Sequence, residues 1–380
     1  MLKLAVLAIS MLLISPPAIN GILPEIRDSL GITQAQSELI TTIPSIASLV
    51  TILLSSFFLK FISIKKIVFV GLLLTGIGGV IPVFTTNFTH ILIGRLILGI
   101  GLGLYGPFAI ELINVLFDEH ERPMLMGYRS ASEQIGRSFM TLLAGILMIF
   151  SWNMSFIVYG LAFILALLFN KYVPEIDNRS TEKKENPQTK EKLSPLIYLI
   201  ALFSSIIILN GAAIDIRFPA LAAEIMGDGY NSSYIIAVKP LLGIGAGFIF
   251  GKLYIKLGKR LLYISVSLLI MAGIIVTASG DSIILLTLGI YLPGIVPAWI
   301  FPFIFMTISK KTTGKNRELA MSLVLIALHG TVFAMTPIVS IITNLLGSDS
   351  LRAPYPILSG LLLITLICII IFAPKLMKKY

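Results

Sequence analysis

Charge is scarce in this chain. Asp, Glu, Lys and Arg together make up 13% of its 380 residues, about half the share of a typical soluble domain. Cysteine is nearly absent: Cys368 is the only one, so neither an intrachain disulfide nor a cysteine-based metal site can form. With three histidines, the chain has no His–Cys metal spacing. It also lacks G-x-S-x-G and a phosphate-binding glycine loop with its lysine. We therefore expect no enzyme, no metal and no cofactor, and no ATP-driven chemistry on this chain. Acidic residues number 19 against 29 basic ones, a formal net charge of +10. Nucleic acid is not the expected partner, because the basic residues lie in short segments between apolar runs.

What is abundant is hydrophobic sequence, 56% of the residues. A bilayer core needs about 20 apolar residues per helix. By that measure twelve spans are expected at 4–22, 39–59, 67–86, 90–117, 124–150, 153–172, 195–214, 233–251, 261–279, 283–308, 319–342 and 356–373. The start, with Lys3 before an apolar run and Ser15-Pro16-Pro17 after it, has a signal-peptide shape. It lacks an A-x-A cleavage pattern, so it is taken as the first span. With both termini inside, 22 of the 29 Lys and Arg fall in inside segments and three outside: Arg27, Arg217 and Arg352. This satisfies the positive-inside rule, and a missed span would have inverted every later loop. The expectation is a multi-pass, monomeric protein of the cell membrane with cytoplasmic termini, partnered by the lipid bilayer.

The most polar stretch, 174–194, is expected to be a flexible cytoplasmic linker between an N-terminal six-helix bundle (1–173) and a C-terminal one (195–380). An internal match supports the division: Ser56 and Ser63, after the second span, superimpose on Gly251 and Gly258, after the eighth, by a shift of 195 residues. Basic residues follow each second member, Lys65 and Lys66 in one copy, Lys259 and Arg260 in the other. The fold class is then an all-α membrane protein, 12 transmembrane helices in two pseudo-symmetric six-helix bundles.

These features resemble the major facilitator superfamily, whose halves are parallel repeats. The stretch Gly251–Arg260 (GKLYIKLGKR) keeps the glycines and basic end of that family's loop motif. In the first copy, SFFLKFISIK, Lys60 stands where the family has an acidic residue. Arg95 with Gly99, Gly101 and Gly103 resembles the fourth-span Arg-x-x-x-Gly signature. In the fifth span Gly127, Gly136 and Gly145 match the glycines of the exporters' motif, while Met140, Thr141 and Ala144 depart from it. The resemblance, to drug:proton antiporters with degenerate motifs, implies a proton-coupled transporter whose first, fourth, seventh and tenth spans line a midplane cavity. The glycines are equally accounted for by close helix packing.

Charged side chains within spans cost roughly 2.5 to 3.5 kcal/mol each near the bilayer centre and call for an explanation. Glu111 and Arg129 each fall about 8 to 9 Å inside the membrane by helical rise, and a pair between them across two consecutive spans is geometrically allowed. Arg129, Glu133 and Arg137, spaced i, i+4, i+8, form one row on the fifth span. The row is either a substrate or proton site or a static network joining spans four and five. Lys239 before Pro240 and mid-span His329 are candidate coupling groups, alongside the alternatives of a snorkelling lysine and a hydrogen-bonded core histidine. Asp215 is expected at an outer vestibule, and Arg217 as an ordinary loop charge.

Prolines 16 and 17 break the first span; Pro293, Pro297 and Pro302 crowd the tenth, and Pro337 the eleventh. The cavity implied by the resemblance would receive Ser10, Ser15 and Asn20 from the first span. From the tenth it would receive Trp299, Phe301 and Phe303, unless those rings face lipid. Three functions are carried forward: proton-driven efflux of amphipathic small molecules, transport of a small organic or inorganic anion, and a non-transporting sensor or lipid-modifying protein.

Overall fold

The computed structural model describes the backbone of every residue except 59, 60, 119, 176–192, 228, 313 and 380. Lys60 and most of the expected linker, 174–194, therefore lie outside the described residues. Among those that are described, every regular element is helical.

The first span is bent. Helix α1 (Leu2–Leu12) and helix α2 (Pro16–Leu30) meet at 50°. Pro16 and Pro17 offer no amide hydrogens, so the helical ladder ends in a 3-10 turn over Ile9–Leu12 and restarts as another over Pro16–Ile22. There follow α3 (Gln34–Phe58), α4 (Ile64–Phe84), α5 (Phe88–Leu116), α6 (Arg122–Leu147) and α7 (Asn153–Tyr172). After the linker come α8 (Pro195–Met226), α9 (Ser233–Leu257), α10 (Arg260–Ala278), α11 (Ile283–Lys311), α12 (Gly314–Leu345) and α13 (Pro354–Lys379).

Local chemistry sets several of these boundaries. Asn87 caps α5 by accepting from the amides of Thr89 (2.9 Å) and His90 (3.3 Å), and Ser194 and Ser282 cap α8 and α11 in the same way, satisfying amides that have no helical partner. Gly258 takes φ +51° in the turn between α9 and α10, a conformation that favours glycine. Its counterpart Ser63 is extended, with φ −65° and ψ 151°. The first-half copy of the loop motif can thus dispense with glycine at a position where the second cannot.

Among the described residues ten helices are long and apolar enough to cross a membrane, and the bent pair α1/α2 makes an eleventh. The expected twelfth is α6, whose 26 residues suffice in length but which carries Arg129, Glu133 and Arg137 in its middle and falls short in hydropathy. The seventh span is longer than expected: α8 continues through Asp215 and Arg217 to Met226. Arg217 is therefore no loop charge. It is 4% exposed and donates to the Leu351 carbonyl at 3.4 Å.

The chain forms two compact units, Met1–Asn186 with Asn231–Pro240, and Pro187–Tyr230 with Leu241–Tyr380. In the first, α5 packs on α3 and α4, and α6 runs along the bent first span. A Cβ on Gly99 would meet the Pro44 carbonyl and Ala47, and Ser48 donates to the Gly99 carbonyl at 2.8 Å. The Arg-x-x-x-Gly glycine is accounted for here by that close approach. The core of this unit includes Ile9, Tyr105, Phe108, Phe156 and Tyr159. In the second unit α10 packs on α11 and α13, and α8 on α12 and α11, around Val266, Ile300, Phe303 and Val324. Large apolar side chains such as Leu167, Phe248 and Ile364 point away from both cores, as lipid-facing residues do.

Candidate functional site in the first helical unit

The polar chemistry of the first unit gathers around the break in its first span and along α6. Helical spacing brings Arg129 and Glu133 together: Nη2 of Arg129 lies 2.7 Å from Oε1 of Glu133, with the side chains 17% and 15% exposed. The expected pair between Glu111 and Arg129 does not form; Glu133, one turn along the same helix, is the nearer carboxylate, and Glu111 stays half-buried on α5. Arg137 follows one turn further on, also half-buried. Tyr105 of α5 is fully buried, donates to the Ile9 carbonyl at 3.3 Å and lies within electrostatic reach of Glu133.

Helix α6 can come this close to the first span because of Gly136, where a Cβ would fall on the Met11 backbone. Gly145, two and a half turns later, meets Ser233 and Asn231, whereas Gly127 has open space. Close packing thus accounts for two of the three exporter-type glycines. Thr141, which with Met140 replaces that motif's Gly-Pro pair, is buried, and its hydroxyl has no hydrogen-bond partner.

Arg95 is the largest fully buried side chain. Its Nε donates to the Ile40 carbonyl at 2.8 Å and its Nη2 to the Pro16 carbonyl at 2.7 Å. Its guanidinium stacks 5.1 Å from the Tyr159 ring centroid. The Tyr159 hydroxyl donates to the Ser15 and Pro16 carbonyls at 3.1 and 3.2 Å. The carbonyls freed by the proline break are thus taken up by a cation and a phenol. Around this knot Ser10 Oγ, Ser15 Oγ, Asn20 Oδ1 and Arg95 Nη1 are buried without partners, a dense set of unmet polar atoms for a protein interior.

The start of α9 also belongs to this unit. Asn231 Nδ2 donates to the Gly145 carbonyl at 2.7 Å and Ser232 Oγ to the Gly21 carbonyl at 3.2 Å; Ser138 Oγ donates to the Ala237 carbonyl. Lys239, 6% exposed, lies in the same segment of this unit, one residue before its end at Pro240.

The other expected site residues lie apart from this cluster. Ser63 donates to Glu175 at 3.0 Å; Lys65 is in the first turn of α4, and Lys259 and Arg260 open α10. Gly251 has open space around it. In the second unit Asp215 and His329 are half-buried on α8 and α12. Trp299 donates its indole N–H to the Ala246 carbonyl at 3.0 Å. Phe303 belongs to the unit's core and meets Tyr254 edge-on, a correction to its expected place in a cavity wall. Tyr105, Tyr159, Asn231 and Ser232 were missed in the sequence. Each is defined by a partner far along the chain, and no local pattern marks it.

Residues 4–310 match the Major Facilitator Superfamily, and the chain belongs to that family. It is accordingly an all-helical membrane transporter by family and fold. A bacillibactin exporter of Bacillus subtilis (strain 168) is 26% identical over 142 residues, a stretch that covers 36% of this chain and 35% of that protein. Similar solved structures include the nucleoside transporter NupG, with TM-score 0.77 at 14% identity over 97% of this chain and 99% of that one. The xylose transporter XylE from E. coli gives TM-score 0.77 at 14% identity over 97% and 95%. A peptide transporter of the POT family gives 0.75 at 13% over 98% and 94%.

Proposed function

We propose that this protein is a secondary active transporter of the cell membrane, with cytoplasmic termini, that exports amphipathic small molecules in exchange for protons by alternating access. The observation that carries the reading is the Arg129–Glu133 ion pair, held in the middle of a helix of a membrane transporter and packed along a broken first span. A carboxylate ion-paired with an arginine inside a span can release that partner when it takes up a proton, and so couple proton uptake to a change in helix contacts. The distant likeness to an exporter supports the direction of transport. The six-plus-six division of the chain, with a flexible linker at 174–194, belongs to this proposal, as does a monomeric state.

A second reading, transport of a small organic or inorganic anion, draws on the surplus of cations in the same unit. Arg95 is fully buried beside carbonyls and a ring, and Arg137 extends the row on α6. Proton flux in proteoliposomes on addition of cationic dyes or small carboxylates separates the two. Flux with dyes alone supports export of amphipathic compounds; flux with carboxylates alone overturns it in favour of anion transport. Loss of carboxylate uptake in Arg137→Ala would then assign the row to the anion.

A further inference from the structure

We infer that the junction of α9 and α10 is a binding surface for anionic phospholipid. Four cations, Lys252, Lys256, Lys259 and Arg260, are exposed within nine residues of sequence. None of the four forms an ion pair or hydrogen bond among the described residues. Some cations near other helix ends are matched: Lys3 meets Glu121 at 2.6 Å, Arg27 meets Asp28 at 2.8 Å and Arg352 meets Glu224 at 2.8 Å. At the start of α4, Lys65 and Lys66 are also without such a partner among the described residues; the α9–α10 junction is set apart by gathering four exposed cations.

The charges continue an apolar stripe on the same helix. Phe248, Lys252, Ile255 and Lys256 are spaced i, i+4, i+7 and i+8 on α9 and share one face, and Lys259 and Arg260 follow across the Gly258 turn. Phe248 is 82% exposed and Ile255 87%. Over the roughly 12 Å from Phe248 to Lys256 the face passes from bare hydrocarbon contact to bare ammonium groups. This is the profile of a lipid molecule read from acyl chain to headgroup, with lysine stems lying along apolar surface and their charges at the phosphate level. The occupant is a phospholipid with net negative charge, because a zwitterionic headgroup would leave the four cations without net compensation. The inference rests on the chain being an integral membrane protein and is independent of what it transports.

The test is native mass spectrometry of the full chain purified in detergent, titrated with dioleoyl-phosphatidylglycerol or dioleoyl-phosphatidylcholine. The wild type should retain phosphatidylglycerol in preference to phosphatidylcholine, more weakly as salt rises. A cation at a membrane surface contributes roughly a fivefold factor. The quadruple variant Lys252→Gln/Lys256→Gln/Lys259→Gln/Arg260→Gln should then lose roughly 600-fold, nearly three orders of magnitude, in phosphatidylglycerol affinity. A charge-matched variant elsewhere, Lys3→Gln/Lys65→Gln/Lys66→Gln/Lys171→Gln, should keep it, as should replacement of the three patch lysines by arginine. If the quadruple variant does not fold, the double variant Lys252→Gln/Lys256→Gln should show a drop of roughly 25-fold in the same titration. Unchanged affinity in the patch variants, equal loss in the charge-matched one, no preference between the two lipids, or displacement by excess inorganic phosphate would each overturn the proposal.

Discussion

Replacing Glu133 by glutamine keeps the side chain's shape and removes its charge, leaving Arg129 without a carboxylate inside α6. Breaking a buried ion pair costs about 3 to 5 kcal/mol. Here the two side chains keep 17% and 15% of their exposure, so solvent reaches the orphaned guanidinium in part, and about 2 to 4 kcal/mol is expected. The double variant Arg129→Met/Glu133→Met removes both charges and should cost clearly less than the sum of the two single variants, which is the mark of coupling in the cycle. The assay is reversible unfolding in mixed micelles, followed by tryptophan fluorescence in a Trp299→Phe background. Trp152, a nearly buried residue of the same unit, then reports alone. Single variants that each shift stability by less than about 0.5 kcal/mol would refute the reasoning, since the pair would then behave like an exposed one.

Arg95→Lys should destabilise the first unit by about 2 to 3 kcal/mol in the same assay, because one ammonium cannot reach both the Ile40 and Pro16 carbonyls while stacking on Tyr159. Gly136→Val should cost about 3 kcal/mol or more, or abolish membrane-inserted yield, because its side chain collides with the Met11 backbone; Gly127→Val, in open space, should cost under about 1 kcal/mol. Asn231→Ala should lose about 1 kcal/mol by freeing the Gly145 carbonyl, and should raise alkylation of a cysteine placed at Ser232.

The helical class and most spans were legible because an apolar run of bilayer length admits few alternatives; the asymmetry of Lys and Arg set the expectation of twelve, of which ten, with the bent first pair as an eleventh, are long and apolar enough among the described residues. Helix α6 was recovered despite its charges because Arg129, Glu133 and Arg137 repeat at helical spacing. The same polarity that suggested a loop at Asp215 and Arg217 misplaced the end of α8, where the Leu351 carbonyl, 134 residues away in sequence, receives the buried arginine. The Arg129–Glu133 pair follows from local geometry alone. The knot of Arg95, Tyr159 and the Pro16 carbonyl does not, since it joins three helices that only the tertiary fold brings together.

The most direct measurement compares two modes of dye movement by Glu133→Gln in proteoliposomes: accumulation driven by a pH gradient, and counterflow without one. Proton-coupled export through Glu133 predicts that the gradient-driven mode falls to background while counterflow persists. Gradient-driven accumulation at the wild-type level in that variant would contradict the account.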